Sequence, residues 1–172
     1  LLALAVRLHD GGPALFRQIR IGRGTVPFVC YKFRTMHDKT GDWPSHEVGH
    51  FAVTPIGRIL RRWKLDELPQ LYNVIRGDMS LVGPRPCLPT QHELIKQRRR
   101  HGAFDVRPGI SGLAQVAGID MSKPRLLARI DGLYVRKRSL GLDLRLMLAT
   151  LTGAGIGVDR VNGRAGQPEA MP

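Results

Sequence analysis

Residues 78–89 contain Gly83, Pro84, Pro86 and Pro89, and this stretch limits the fold more than any other part of the chain. Proline fixes φ near about −65° and donates no backbone hydrogen bond, so a helix cannot run through it. The segment reads as a stiff, non-helical loop that must divide two sets of elements. Further breaks stand at Gly11-Gly12-Pro13, Gly77 and Pro108-Gly109. A chain punctuated in this way folds as short elements joined at fixed corners.

Between the breaks the elements can be read in turn. Leu1-Leu2-Ala3-Leu4-Ala5-Val6 is apolar and then meets Arg7, His9 and Asp10. A membrane span needs about 20 apolar residues, and this run also lacks the charged front and cleavage site of a signal peptide. It reads either as the end of a longer apolar helix or as a short core helix. Ala14-Leu15-Phe16 and Pro27 to Phe33 flank the turn signal Ile21-Gly22-Arg23-Gly24-Thr25, which predicts a β-hairpin. Residues 37–53 are polar and predict a loop.

Thr54-Pro55 supplies an N-cap and a first-turn proline for a helix to about Trp63. A second helix is expected from near Asp66 to a glycine cap at Gly77. Thr90-Gln91-His92-Glu93 has the form of a capping box opening a helix to His101. Leu113 to Ala117 suggests a short strand, Ser122-Lys123-Pro124 the start of a helix to Lys137, and Leu142 to Leu151 a last apolar helix holding Asp143 and Arg145. The tail from Gly153 is Gly-rich and expected to be mobile. No internal repeat is evident. The class expected is mixed α/β (α+β), helix-rich, with a small β-hairpin or sheet beside the helices that carry the chemistry.

A hydrophobic content of 42% in 172 residues is enough for one real core, and an aromatic share of 6% leaves that core to Leu, Ile and Val. Cys30 and Cys87 match no metal-binding spacing and read as reduced, small core residues. The net charge of +13 calls for an anionic partner. Nucleic acid is not expected, because the basic run Lys96 to Arg100 has no interleaved aromatic residue and no recognition motif is present.

The cations fall in four groups: Arg17, Arg20, Arg23, Lys32 and Arg34; Arg58, Arg61, Arg62 and Lys64; Lys96, Arg98, Arg99 and Arg100; Arg136, Lys137 and Arg138. Any one of them taken alone reads as a solvated face. The second group differs because Asp66-Glu67 follows it directly. Arginines grip phosphate oxygens with forked, charge-assisted hydrogen bonds. A carboxylate can hold a hard divalent cation such as Mg²⁺, or attack phosphorus to form an acyl phosphate. If Asp66 stands in the first turn of a helix, the helix dipole favours its ionised form. Local residues alone fit an ordinary helix start better than a catalytic pair. The Gly83-Pro84-Arg85-Pro86 loop adds an arginine held between two prolines, a preorganised way to aim a guanidinium. No P-loop, G-x-G-x-x-G or G-x-S-x-G is present.

Three ordered segments carry a resemblance. They are Phe28-Val29-Cys30-Tyr31-Lys32-Phe33-Arg34-Thr35-Met36, Leu65-Asp66-Glu67-Leu68-Pro69-Gln70-Leu71, and Asn73 through Pro86, which includes Arg76-Gly77-Asp78-Met79-Ser80-Leu81-Val82-Gly83-Pro84-Arg85-Pro86. With Arg107 through Val116 and Tyr134 through Leu144, they resemble the bacterial sugar transferases, the monotopic polyprenyl-phosphate phosphoglycosyl transferases. The likeness covers roughly residues 1–152. It implies transfer of a sugar-1-phosphate from a UDP-sugar to undecaprenyl (polyprenyl) phosphate with release of UMP. By the same likeness Asp66 would be the nucleophile of a covalent aspartyl-phosphosugar. Glu67 would complete the pair and share Mg²⁺ with it, and Lys32, Arg61 and Arg85 would meet substrate phosphates.

The resemblance also implies a location at the cytoplasmic face of the bacterial inner membrane, on an anionic surface, with self-association left open. Residues 1–9 would be the end of a truncated re-entrant membrane helix, 10–152 the catalytic domain and 153–172 a tail. Leu142, Leu144, Leu146, Met147, Leu148 and Leu151, close to Arg136, Lys137 and Arg138, would form an interfacial amphipathic helix; a core helix is the alternative. After Gln115-Val116 the chain departs from the family habit of Asn-Gly-Arg and reads Ala117-Gly118-Ile119-Asp120. A non-catalytic membrane scaffold on the same fold is the competing function.

Overall fold

The computed structural model describes residues 1–37 and 52–153. Most of the predicted loop 37–53, and the tail beyond Gly153, lie outside the described residues. The architecture is mixed α/β and helix-rich. Helix α1 (Leu2–Asp10) leads into strands β1 (Leu15–Ile21) and β2 (Pro27–Phe33), joined by a tight turn at Arg23–Thr25. The strands pair antiparallel, with Leu15 opposite Phe33 and Ile21 opposite Pro27, which is the predicted hairpin. Side chains alternate across a strand. Phe16, Gln18 and Arg20 therefore share one face with Lys32, Cys30 and Phe28, and that face carries the buried Gln18 and Cys30.

Helix α2 (Pro55–Arg62) begins as predicted: the Thr54 hydroxyl accepts a hydrogen bond from Gly57 N at 3.0 Å, and Pro55 opens the first turn. The second helix does not begin at Asp66. A 3₁₀ turn at Leu65–Glu67 comes first, and α3 spans Gln70–Arg76. Lys64 causes the break. Its φ of 55° is left-handed, so the chain swings out of α2 instead of continuing along a helical path. A non-glycine residue rarely sits there, at a cost of about 1 kcal/mol or more.

Beyond Gly77 come β3 (Ser80–Val82), α4 (His92–Arg100), β4 (Gly109–Ser111), α5 (Leu113–Val116), α6 (Pro124–Lys137) and α7 (Leu140–Thr152). The strand expected at Leu113–Ala117 is helical; its extended neighbour β4 lies just upstream and pairs in parallel with β3. The expected capping box does not form, for the Gln91 side chain turns away from α4 and accepts from Leu88 N at 2.9 Å. Gly83 and Gly109 let the two strands close up. A Cβ on Gly109 would lie 2.0 Å from Gly83 N, and one on Gly83 would lie 2.5 Å from Arg107 O.

The core gathers Val82, Leu94, Leu113, Leu127, Ala128, Tyr134 and Leu146 from β3 and the last four helices. Cys30 and Cys87 are free thiols buried in the interior, as expected. Arg98, from a basic run read as a solvated face, is 1% exposed. Helix α7 is divided: Leu146 and Ala149 are buried, whereas Leu140, Leu144, Leu148 and Leu151 form an exposed stripe. Helix α1 buries Val6 and leaves Leu4 and Leu8 exposed, so it is not a buried core helix. No helix among the described residues is long and apolar enough to cross a membrane.

Candidate active site

All five residues singled out from the sequence line one cavity of about 1190 Å³: Lys32, Arg61, Asp66, Glu67 and Arg85. Lys32 comes from β2, Arg61 from the last turn of α2, the two carboxylates from the 3₁₀ turn, and Arg85 from the proline-braced loop. Among the described residues the wall carries eight Lys or Arg side chains and two carboxylates, so the cavity suits an anion.

Glu67 is the fixed point of the site. Its Oε1 accepts from Arg85 Nη2 at 2.6 Å and from Lys32 Nζ at 3.2 Å. Burial opposes its charge, but the Arg85 and Lys32 charges and their hydrogen bonds prevail and bring its pKa down to about 2. Burial, and then the like charge of Arg85, pull the Lys32 pKa down.

Asp66 is in the opposite condition. Among the described residues no hydrogen bond or ion pair reaches its carboxylate. Burial and then the neighbouring Glu67 charge push its pKa above the ordinary value, against the pull of Lys32, Arg61 and Arg85. The helix dipole expected to favour ionised Asp66 does not act there, because the residue stands on a single 3₁₀ turn and not at the start of α3. The outcome is a carboxylate more basic than usual, with its oxygens unoccupied by protein. Such a group can attack an electrophile or ligate a cation. Adjacent residues thus have separate capacities: one carboxylate is locked in an ion-pair network, the other is open.

The two carboxylates fit Mg²⁺ by donor chemistry. That ion accepts one or two carboxylates and completes its shell with water and phosphate oxygens. Among the described residues no group of three or more His, Cys, Asp or Glu side chains gathers, as a closed protein shell would need.

Arg85 is aimed by its backbone. Four successive carbonyls of its loop each accept a hydrogen bond: Pro84 from Gly109 N at 3.0 Å, Arg85 from Arg98 Nη1 at 2.8 Å, Pro86 from Arg20 Nη1 at 3.2 Å, and Cys87 from Ile21 N at 2.9 Å. Arg98 is in turn held by Asp131 of α6, with Nε–Oδ2 at 2.8 Å and Nη2–Oδ2 at 2.7 Å.

The family pattern described as Bacterial sugar transferase matches residues 1–155. The chain belongs to the bacterial sugar transferase family. Among relatives, it is 44% identical over 162 residues to a protein of Caulobacter vibrioides named UDP-glucose:undecaprenyl-phosphate glucose-1-phosphate transferase; the match covers 88% of this chain and 60% of the relative. It is 42% identical over 148 residues to a Bacillus subtilis protein named Uncharacterized sugar transferase EpsL, covering 85% of this chain and 72% of that one. An Aeromonas hydrophila protein named UDP-N-acetylgalactosamine-undecaprenyl-phosphate N-acetylgalactosaminephosphotransferase is 38% identical over 167 residues, 89% of this chain and 39% of its own length. This sugar transferase chain thus spans 60% of the Caulobacter relative and less than half of the Aeromonas one.

Three supporting residues of this sugar transferase chain escaped the sequence reading. Thr35 accepts from Arg61 Nε at 2.9 Å and so orients that guanidinium toward the cavity. Asn73, fully buried, accepts from Tyr31 N at 3.1 Å and donates to Val29 O at 2.7 Å, which ties α3 to β2 and fixes the dyad beside Lys32. Arg98 is the third. Its signal was present in the sequence: it lies four residues after Leu94, on the face of α4 that is buried. Thr35 and Asn73 lie inside the segments that carry the resemblance, but their roles were not legible there, since the contacts just described are 26 to 44 residues distant.

Proposed function

We propose that the protein transfers a sugar-1-phosphate from a UDP-sugar to undecaprenyl (polyprenyl) phosphate and releases UMP. The observation that carries this reading is the unlike condition of the two carboxylates, Asp66 open and Glu67 pinned by Lys32 and Arg85. In the first step an Asp66 carboxylate oxygen attacks the sugar-bearing phosphorus of the donor. The bond from that phosphorus to the bridging oxygen breaks, and UMP leaves with that oxygen. In the second step a phosphate oxygen of the lipid attacks the same phosphorus. The bond to Asp66 breaks, and the carboxylate is restored. One phosphoanhydride is exchanged for another, with no net proton and no outside energy source.

Burial gives Asp66 its basicity, and Glu67 sets the placement of Lys32 and Arg85 at the phosphate oxygens. Arg61 adds charge where the transition state is crowded with oxygens. When bound by Asp66 and Glu67, Mg²⁺ would supply further neutralisation of phosphate charge.

We place the protein at the cytoplasmic face of a bacterial cell membrane, on an anionic surface. The exposed Leu140, Leu144, Leu148 and Leu151 stripe on α7, next to exposed Arg136, Lys137 and Arg138, supports this, as do Leu4 and Leu8 on α1. The test supplies full-length protein with a UDP-sugar, polyprenyl phosphate and Mg²⁺ and measures UMP. Release of UMP together with a phosphosugar adduct on Asp66 by intact mass is expected. UMP release without any adduct would argue for direct transfer instead.

A further inference from the structure

The mechanism just proposed has a steric consequence. Attacking and leaving oxygens lie roughly in line across phosphorus in phosphoryl transfer. Asp66 is the attacker in one step and the leaving group in the next. The position opposite Asp66 is therefore vacated by UMP and then taken by the lipid phosphate. The sugar remains on phosphorus through both steps and cannot lie in that shared position. It needs a space of its own beside the phosphates.

A second cavity, of about 470 Å³, opens beneath the connection between α5 and α6. It shares Arg20, Lys32, Arg85 and Gln115 with the larger cavity, so the two meet at the cations around Glu67. Its own wall is largely apolar, with Leu88, Leu127, Ile119 and Met121; of its two acids, Asp131 is held by Arg98 and Asp120 accepts from Ser122. An apolar wall of this kind suits the C–H face of a neutral polyol ring, while the cations lie at the end shared with the larger cavity. Gln115 stands in the shared wall. Its Nε2 donates to Ile110 O at 3.0 Å, which fixes the amide, and its Oε1 is buried with no hydrogen-bond donor. Buried acceptors without partners are uncommon, and each calls for an explanation.

We propose that this second cavity holds the sugar ring of the nucleotide-sugar donor, and that Gln115 Oε1 accepts a hydrogen bond from one of its hydroxyls. The inference rests on the transferase reading above and assigns Gln115 and the 118–121 segment to sugar selection.

The test uses the full-length protein in lipid with UDP-glucose and UDP-N-acetylgalactosamine, reading kcat/KM from UMP release, the KM for polyprenyl phosphate, and the Kd of UMP. Gln115→Met keeps the side-chain length and removes the acceptor. It should lower kcat/KM for the preferred donor by about tenfold or more and narrow the preference between donors, the effect of losing one well-placed hydrogen bond to substrate. Ile119→Phe, which narrows the cavity from its rim, should shift the preference toward the smaller sugar. Kd for UMP and KM for the lipid should stay near wild type in both, which also reports that the variants are folded. If Gln115→Met loses UMP binding through misfolding, Ile119→Phe decides the question. Unchanged donor preference in a folded variant overturns the proposal, as does a selective rise in the Kd of UMP or in the lipid KM. A wild-type protein that releases UMP from no donor in a screen of UDP-sugars overturns the transferase reading and this assignment together. Active wild type with unmoved preference overturns the sugar assignment alone.

Discussion

Arg85 Nη2 lies 2.6 Å from Glu67 Oε1, and the same oxygen takes Lys32 Nζ at 3.2 Å. One carboxylate oxygen thereby ties the proline-braced loop to the hairpin. The arrangement leaves its neighbour Asp66 as the carboxylate that can react.

Replacing Asp66 should separate activity from stability. Asp66→Asn is expected to reduce UMP release by on the order of a thousandfold or more, as loss of a covalent nucleophile does. The sign for stability is opposite. A carboxylate whose folded pKa exceeds its unfolded one binds more protons when folded, so stability falls as pH rises through that window. At neutral pH the wild type already bears this penalty. The variant should therefore melt at a higher temperature than wild type at pH 7, with the difference disappearing at acid pH. A lower Tm at pH 7 would contradict the burial argument.

The same shift predicts the acid side of the rate profile. Asp66 must be ionised to attack, and its pKa is raised by burial and by Glu67. The acid limb of kcat/KM against pH should lie above the ordinary aspartate value of about 3.9. A limb at or below that value would show that the cations win at Asp66.

Glu67→Gln should act mainly through the cations it holds. Two charge-assisted hydrogen bonds are lost and Lys32 is left half-buried without its counter-charge, which should cost about 2–3 kcal/mol in urea unfolding. Glu67 has a depressed pKa, so its contribution is present above the unfolded value of about 4.3 and fades as pH falls toward about 2. The stability gap between wild type and variant should accordingly be flat above about pH 5 and close under acid.

Asp131→Asn leaves Arg98 charged at 1% exposure with its partner neutralised. Breaking a buried pair in this way costs roughly 3–5 kcal/mol, measurable by denaturant titration. Because Arg98 holds the Arg85 carbonyl, any folded Asp131→Asn protein should also lose kcat.

Gly57→Ala should be poorly tolerated for a steric reason. The added Cβ would sit 2.1 Å from Thr35 O, and Thr35 orients Arg61. A backbone clash of this kind costs about 1–3 kcal/mol or more, and the shift of Thr35 should reduce activity alongside Tm.

Much of the fold was legible because local chemistry forced it. Thr54-Pro55 could only open a helix, the apolar runs around residues 21–25 formed the hairpin, and the prolines of 84–89 excluded helix. The Leu65–Glu67 turn was not legible, because a left-handed Lys64 violates local preference and is sustained only by its surroundings. The strand expected at 113–117 failed for a related reason. A short apolar run has no periodicity of its own, and packing of Leu113 and Ala114 into the core made it helical.

For the site, the sequence by itself determined which side chains exist to do chemistry: the Asp66-Glu67 pair, Lys32, Arg61 and Arg85, all of which meet in one cavity. Only the tertiary structure decided how the two carboxylates differ. Adjacent in sequence, they are the same kind of group until Arg85, 18 residues away, and Lys32, 35 residues away, both fall on Glu67. Charge and desolvation depend on distance in space. No local reading of Lys64 to Gln70 could tell which carboxylate is locked and which is free to react.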